Sequence, residues 1–203
     1  MVERAQMAPP RRSALATAEA APVSGRVAIA ERTGLALLQV AAFGGGTLAG
    51  DLVADRLADV LGLPAPAPNR ASGTDALALH AVGPGRWLIV SAEPIEALTA
   101  RIAARIADQI GVDAAALVDL SQARSVVRLT GPAWRDVLAK GVRIDLHPRD
   151  LPPGSSVQTL FGRLAVTLHV LPGGAGADLF VYRGFGLSLW DMLADGMREF
   201  GED

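Results

Sequence analysis

Residues 77–110 read LALHAVGPGRWLIVSAEPIEALTARIAARIADQI, and this stretch decides the fold class. Leu77-Ala78-Leu79-His80 and Arg86-Trp87-Leu88-Ile89-Val90 are short strands flanking Val82-Gly83-Pro84-Gly85, a turn-forming tetrapeptide, so together they predict a hairpin. Pro94 then suits a first helical turn, and Ile95, Leu98, Ile102, Ile106 and Ile110 recur at helical spacing until Gly111 stops the run. A hairpin that feeds a helix is not the strand-helix-strand rhythm of a doubly wound nucleotide fold. It predicts an α+β fold with helices layered on mostly antiparallel sheet.

Working outward, Val27 to Phe43 reads as extended chain ahead of the turn Gly44-Gly45-Gly46. Thr47 can cap a helix with Leu48, Leu52, Val53, Leu57, Val60 and Leu61 on one side, stopped by Gly62 and Pro64. Pro64 to Gly73 reads as a proline-rich loop. Beyond the opening stretch, Asp113 to Leu120 and Ser125 to Thr130 predict strands, and Gly131-Pro132 opens a helix carrying Ala133, Trp134, Val137 and Leu138. A loop over 142–154 follows, then a hairpin from Val157–Phe161 and Leu164–Leu171 around Gly162-Arg163. A strand over Asp178–Tyr182 and a helix marked by Leu187, Trp190, Leu193, Ala194 and Met197 complete the chain. Each half thus reads strand, helix, hairpin, helix. The expected organisation is a flexible tail over 1–25 and one α+β domain over 26–203, built from two similar halves at about 26–112 and 113–203.

Composition narrows the function. The 203 residues are 50% hydrophobic and 20% charged, with a net charge of −2, enough apolar content for a core and no basic footprint for nucleic acid or an anionic membrane. Aromatic residues at 4% leave no stacking platform for single strands. With no cysteine, thiolate metal sites, iron-sulfur ligation and cysteine nucleophiles are excluded. No run approaches the roughly 20 apolar residues of a membrane helix, and the first 25 residues lack the apolar core of a signal peptide.

The motifs point away from chemistry in this chain. His80, His147 and His169 lack metal-ligand spacing, and His80 and His169 fall inside strands. Gly44-Gly45-Gly46 and Gly173-Gly174-Ala175-Gly176 match neither phosphate loop nor dinucleotide fingerprint. Ser121 has no nucleophile elbow, and Ser155-Ser156 has no neighbouring base in sequence. Asp119, Asp145 and Asp178 read as turn or boundary carboxylates, with Asp150 beside them; Trp87, Trp134 and Trp190 read as core. No catalytic, cofactor-binding or metal residue is assigned.

Val118-Asp119-Leu120-Ser121, Val127-Arg128-Leu129-Thr130-Gly131-Pro132, Val137-Leu138, Pro153-Gly154 and Gln158-Thr159-Leu160 resemble the folate-binding aminomethyltransferase fold of the glycine cleavage system. Ile144 to Arg149, Pro152-Pro153-Gly154, Gln158 to Arg163 and Ser188-Leu189-Trp190 are more closely similar to the gamma-subunit family of heterotetrameric sarcosine oxidase. The motifs cover the second half densely; the first half agrees in lengths and hydrophobic pattern.

That resemblance implies an accessory, cytoplasmic chain of a four-chain enzyme that oxidises sarcosine to glycine with release of hydrogen peroxide and passes the one-carbon unit to tetrahydrofolate. It implies alpha, beta and delta partners carrying FAD, FMN, NAD, zinc and the folate site. The aminomethyltransferases carry an acidic pair after the glycine of the second hairpin; counted from Gly162, this chain has Val166 and Thr167 there, so the resemblance implies that the catalytic acid is missing. Asp145, His147, Arg149, Gln158 and Arg163 become candidate partner contacts, although Arg149 could equally bridge its own loop to Asp145 or Asp150. A stand-alone folate-binding aminomethyltransferase-like protein and a folate-sensing scaffold remain the alternatives.

Overall fold

Central strands here carry apolar side chains on both faces, so each sheet has to be covered twice. On β2 (Ala36–Ala42), Ala36, Leu38 and Val40 point to one side, while Leu37 points to the other. The same split divides β4 (Leu77–Gly83) and β5 (Arg86–Ser91), where Leu79, Ala81, Trp87 and Ile89 oppose Ala78, Leu88 and Val90. The computed structural model describes residues 12–21, 25–43, 47–109 and 115–201. It solves the covering problem with four layers: helices, sheet, sheet, helices.

One sheet has the order β3-β4-β5-β2-β6, with β3 at Ala71–Gly73 and β6 at Ala115–Asp119. Helices α1 (Thr47–Leu61) and α2 (Ile95–Gln109) cover its outer face, burying Val53, Leu57 and Leu61 from one and Ile95, Leu98, Ile102 and Ile106 from the other. The second sheet has the order β1-β7-β10-β9-β8, from strands Ala28–Glu31, Arg124–Thr130, Gly176–Tyr182, Leu164–Val170 and Ser156–Phe161 respectively. Helices α3 (Trp134–Ala139) and α4 (Gly186–Met197) cover it with Trp134, Val137, Leu138, Leu189, Leu193 and Met197. A fully buried leucine or isoleucine contributes about 1.5–3 kcal/mol relative to exposure, so these two outer cores dominate stability. Between the sheets lies a smaller core of Leu35, Leu37, Ala78, Leu88, Val90, Val126 and Phe180.

The two sheets are copies of one register. Across the first, Ser72, Leu79, Ile89, Leu38 and Asp119 lie opposite one another; across the second, Val157, Leu168, Leu179, Val127 and Glu31 do the same. The copies also meet symmetrically. Arg70 and Ser155 form a bridge, the Ala71 N–H donates to Gly154 O, and the Ser156 N–H donates to Asn69 O, both at 2.8 Å. Asn69 and Gly154, matched by this register, both take positive φ, at 60° and 77°.

This pairing changes the reading of the sequence. The expected division near residues 112 and 113 falls outside the described residues, but β6 pairs with β2, so the seam between units is the turn after Asp119. Conversely β1 crosses to β7 and completes the second unit from the other end of the chain. Gly34, at φ 73°, separates β1 from β2 within what reads as one extended run. The loop expected over 64–73 contains the edge strand β3, and Leu52 on α1 is exposed, one position round from the buried Val53, Leu57 and Leu61 row.

The expected tail needs correction where it is described. Residues 12–21 lie against the second unit: Leu15 is buried in its core, the Ser13 hydroxyl donates to Glu31, and the Trp190 Nε1–H donates to Glu19 O at 2.9 Å. An apolar anchor at Leu15 holds a segment whose run of alanines reads as loose. The rest of the tail and the expected turn at Gly44–Gly46 lie outside the described residues. Among those described, no helix is long and apolar enough to cross a membrane.

The register match makes a test. Gly154→Ala adds a Cβ that meets nothing closer than 3.4 Å, so only the left-handed backbone resists it; it is expected to cost about 1–2 kcal/mol. Asn69→Gly at the matched position relieves the same constraint and is expected to leave stability within about 0.5 kcal/mol. Denaturant unfolding of the two variants checks this; equal losses would show that the two turns are not equivalent.

Candidate functional site

Alternation along β4 and β9 turns one histidine from each unit into the space between the sheets, at matched positions. His80 and His169 are both buried, their rings 4.6 Å apart and edge-on at 71°. His169 Nδ1 donates to the Ser155 carbonyl at 3.1 Å, which leaves Nε2 as the unprotonated nitrogen of the neutral ring. His80 Nδ1 lies 2.9 Å from Ser156 Oγ, and the Phe180 ring packs edge-on against His80 at 5.6 Å. The base that Ser156 lacks in sequence is thus supplied in space, from the other unit.

Beside the histidines sits a charge network. Asp178, only 1% exposed, lies in mid-β10, directly across from Arg128 on β7 and His169 on β9. Arg128 grips it with two donors, Nε at 2.6 Å and Nη2 at 2.8 Å, and Arg32 adds Nη1 at 2.8 Å. The other edge of Arg128 reaches Asp75 at 2.6 and 2.9 Å, while Arg32 Nη2 donates to Asp75 O at 2.8 Å. Asp75 belongs to the β3–β4 turn of the first unit, so Arg128 joins the units. The boundary role read for Asp178 is therefore replaced: it is the buried anion on which two guanidinium groups converge.

Electrostatics follow from this geometry. The Arg128 hydrogen bonds hold the Asp75 carboxyl below its usual range, and Asp178 and then Asp75 raise the Arg128 guanidinium further above its own. Burial pushes the His80 imidazole well below 6.5, helped by His169 and Arg32; burial likewise lowers His169. Two arginines and two aspartates balance, and the histidines stay neutral. The Ser156–His80 pair has the contact of a nucleophile and base, but both are sealed at 2% and 1% exposure, so no substrate reaches them. Among the described residues no group of three or more histidine or acidic side chains could hold a metal.

The other candidates lie elsewhere. Asp119 and Asp145 serve turns, accepting the Ser121 and His147 N–H groups at 2.8 and 2.7 Å. Asp145, His147 and Arg149 share an exposed loop, pinned by Arg135, which stacks on Trp134 at 4.3 Å and donates to Leu146 O and Leu151 O. Arg149 pairs with its neighbour Asp150 at 3.2 Å while 80% exposed. Gln158 on β8 reaches across to Val82 O at 2.7 Å, and Arg163 stands exposed in the β8–β9 turn. The five residues occupy a loop, a strand and a turn. Val166 faces the helices in the outer core, and Thr167 lies opposite Phe180 and Gln158 on the inner face. Trp87 and Trp134 are core as expected.

Two outcomes follow. Because both histidines are neutral in the fold, the unfolded chain binds more protons below pH 6.5. Stability should fall with pH there, by up to about 1.4 kcal/mol per unit per histidine. Melting curves from about pH 7.5 to 5.5 should show that slope and His80→Gln should reduce it; a flat wild-type profile would refute the assignment. Asp178→Asn leaves Arg128 with Asp75 alone and Arg32 with only the Asp75 carbonyl, and should cost about 3 kcal/mol by denaturant unfolding; an unchanged midpoint would refute the role given to Asp178.

Comparison with known proteins places this geometry. Residues 46–199 match the family described as "Sarcosine oxidase, gamma subunit family". The sarcosine oxidase subunit gamma of Corynebacterium sp. (strain P-1) is 30% identical over 150 residues, 70% of this chain and 67% of that relative. That of an Arthrobacter sp. is 30% identical over 107 residues, 53% of this chain and half of the relative's length. A chain of heterotetrameric sarcosine oxidase from Corynebacterium sp. U-96, in complex with pyrrole 2-carboxylate, superposes with a TM-score of 0.78 at 27% identity, over 95% of this chain and 97% of that one. Aminomethyltransferase T of the glycine cleavage system from Bartonella henselae shares the fold alone: TM-score 0.61 and 16% identity over 88% of this chain and 48% of that one. The duplicated two-sheet fold and the sequence match agree, and the chain belongs to the sarcosine oxidase gamma subunit family.

Proposed function

We propose that this chain is the accessory gamma subunit of a heterotetrameric sarcosine oxidase and serves assembly, with the chemistry in its neighbours. One observation carries the reading: nearly the whole chain superposes on nearly the whole of one chain from such a complex. The sealing of Ser156, His80 and Asp178 between the sheets supports an assembly role, since reactive groups without access to substrate act as structure.

In this reading alpha, beta and delta partners carry FAD, FMN, NAD, zinc and the folate site, and the assembly is cytoplasmic. Those groups supply oxidation of the sarcosine N-methyl group, with dioxygen reduced to hydrogen peroxide and water completing release of glycine and formaldehyde, the latter taken up by tetrahydrofolate. This chain holds none of them. Its part is to keep a rigid surface, and Asp145, His147, Arg149, Gln158 and Arg163 remain proposed partner contacts. The loop bearing Arg149 is pre-ordered by Arg135 and by the Asp145 carboxylate, so its side chains are presented at little entropic cost.

Co-expression of the tagged chain with its candidate flavoprotein partners tests the proposal. The expected eluate is yellow, contains several chains and makes peroxide from sarcosine; a colourless single chain beside soluble partners would overturn it, and tetrahydrofolate binding by that chain would favour the aminomethyltransferase-like alternative. Arg149→Ala should leave melting unchanged, since its exposed ion pair is worth at most about 1 kcal/mol, while lowering the yield of complex.

A further inference from the structure

We infer that the cavity at the seam between the two units is a docking pocket for an aspartate or glutamate side chain of a neighbouring subunit, with Arg124 as its anchor. The inference rests on the accessory-subunit reading and deepens it by naming a surface and the chemistry of what sits there.

The cavity measures about 90 Å³ and is bounded by the β1–β2 and β6–β7 connections and the short 3-10 turn Arg183–Phe185 that follows β10. Arg12, Arg32, Arg124 and Arg183 line it against one acid, Glu31. A chain with net charge −2 does not place four guanidinium groups round one small space by general basicity. They differ in what they still offer. Arg32 is committed to Asp178 and Asp75, and Arg183 donates to Arg12 O. Among the described residues, neither the Arg12 nor the Arg124 guanidinium has a hydrogen-bond acceptor.

Arg124 is nevertheless held in place. Its guanidinium lies 3.8 Å from the centre of the Tyr182 ring, a stacked arrangement that keeps the planar fork ready for a carboxylate. The volume has room for about three waters or more, which suits a carboxylate head. Tyr182 and Phe185, each 51% exposed, flank the cavity-lining Arg183 in the chain, and Tyr182 lies opposite Arg124 across the sheet. A free inorganic anion would make no use of those exposed rings. A protein side chain arriving with its own apolar surround would, and arginine beside tyrosine and phenylalanine is the composition of interface hot spots. The chemistry is charge pairing beside aromatic contact.

The test uses the complex. Tagged wild type, Arg124→Glu and Tyr182→Ala are each co-expressed with the partner chains, and captured partner is quantified at low and raised salt. Expected are a loss of capture of about tenfold or more for Arg124→Glu, a smaller loss for Tyr182→Ala, and unchanged melting of each variant alone. Should Arg124→Glu melt early, the exposed Tyr182→Ala and the charge-neutral Arg124→Gln carry the comparison. Wild type and variants capturing partner equally would overturn the docking site and leave the gamma-subunit reading standing; wild type capturing nothing would sink that reading itself. Stabilisation of the isolated chain by inorganic phosphate, lost in Arg124→Gln without effect on capture, would overturn the side-chain occupant in favour of a free anion.

Discussion

A carboxylate with almost no access to water has to be matched by positive charge within hydrogen-bond reach, and Asp178 imposes that demand at the centre of this molecule. Both cations that answer it come from elements with other obligations. Arg128 sits opposite it on β7 and also grips Asp75; Arg32 stands where the chain leaves β1 for β2. Asp178 and both its cations belong to the second sheet or its border, and Arg128 and Arg32 reach on to Asp75 of the first unit, a directional contact added to the smaller core of Leu37, Ala78, Leu88, Val90, Val126 and Phe180. Apolar packing in the outer layers supplies most of the stability; the ionic contact supplies orientation.

The same logic explains the histidines. Matched strands of a duplicated unit bring His80 and His169 to one point, yet their surroundings have diverged: Leu88 lies across from one and Asp178 from the other. A neutral imidazole can accept or donate, so it tolerates both an apolar and an ionic neighbour in a site with no water to spare. That both are neutral is what lets two rings touch edge to edge beside two guanidinium groups.

Local order was legible in the sequence wherever periodicity met punctuation. The isoleucine row of α2, the hairpin around Gly83-Pro84-Gly85 and that around Gly162-Arg163 stand where their patterns place them. What stayed hidden was long-range. Nothing near Ala28 announces that its partner is Thr130, and nothing near Asp178 announces Arg32; pairing across that much chain leaves no local trace. The leucine-histidine step shared by Leu79-His80 and Leu168-His169, read against the repeat, is the one signal that would have placed the two histidines together. Leu15 was overlooked for a different reason, since a single apolar anchor amid alanine and proline has no period to detect.

The crossing of β1 into the second sheet has a temporal meaning. A strand made ahead of the first unit cannot pair until β7 exists, so its backbone N–H and C=O groups spend the whole growth of that unit without their native partner. Meanwhile the first unit holds all its own strands and can close as soon as β6 appears. The chain is thus built to finish one half early and to use a strand that precedes it as an edge of the other. A complete second sheet therefore joins a strand made before the first unit to strands made after it.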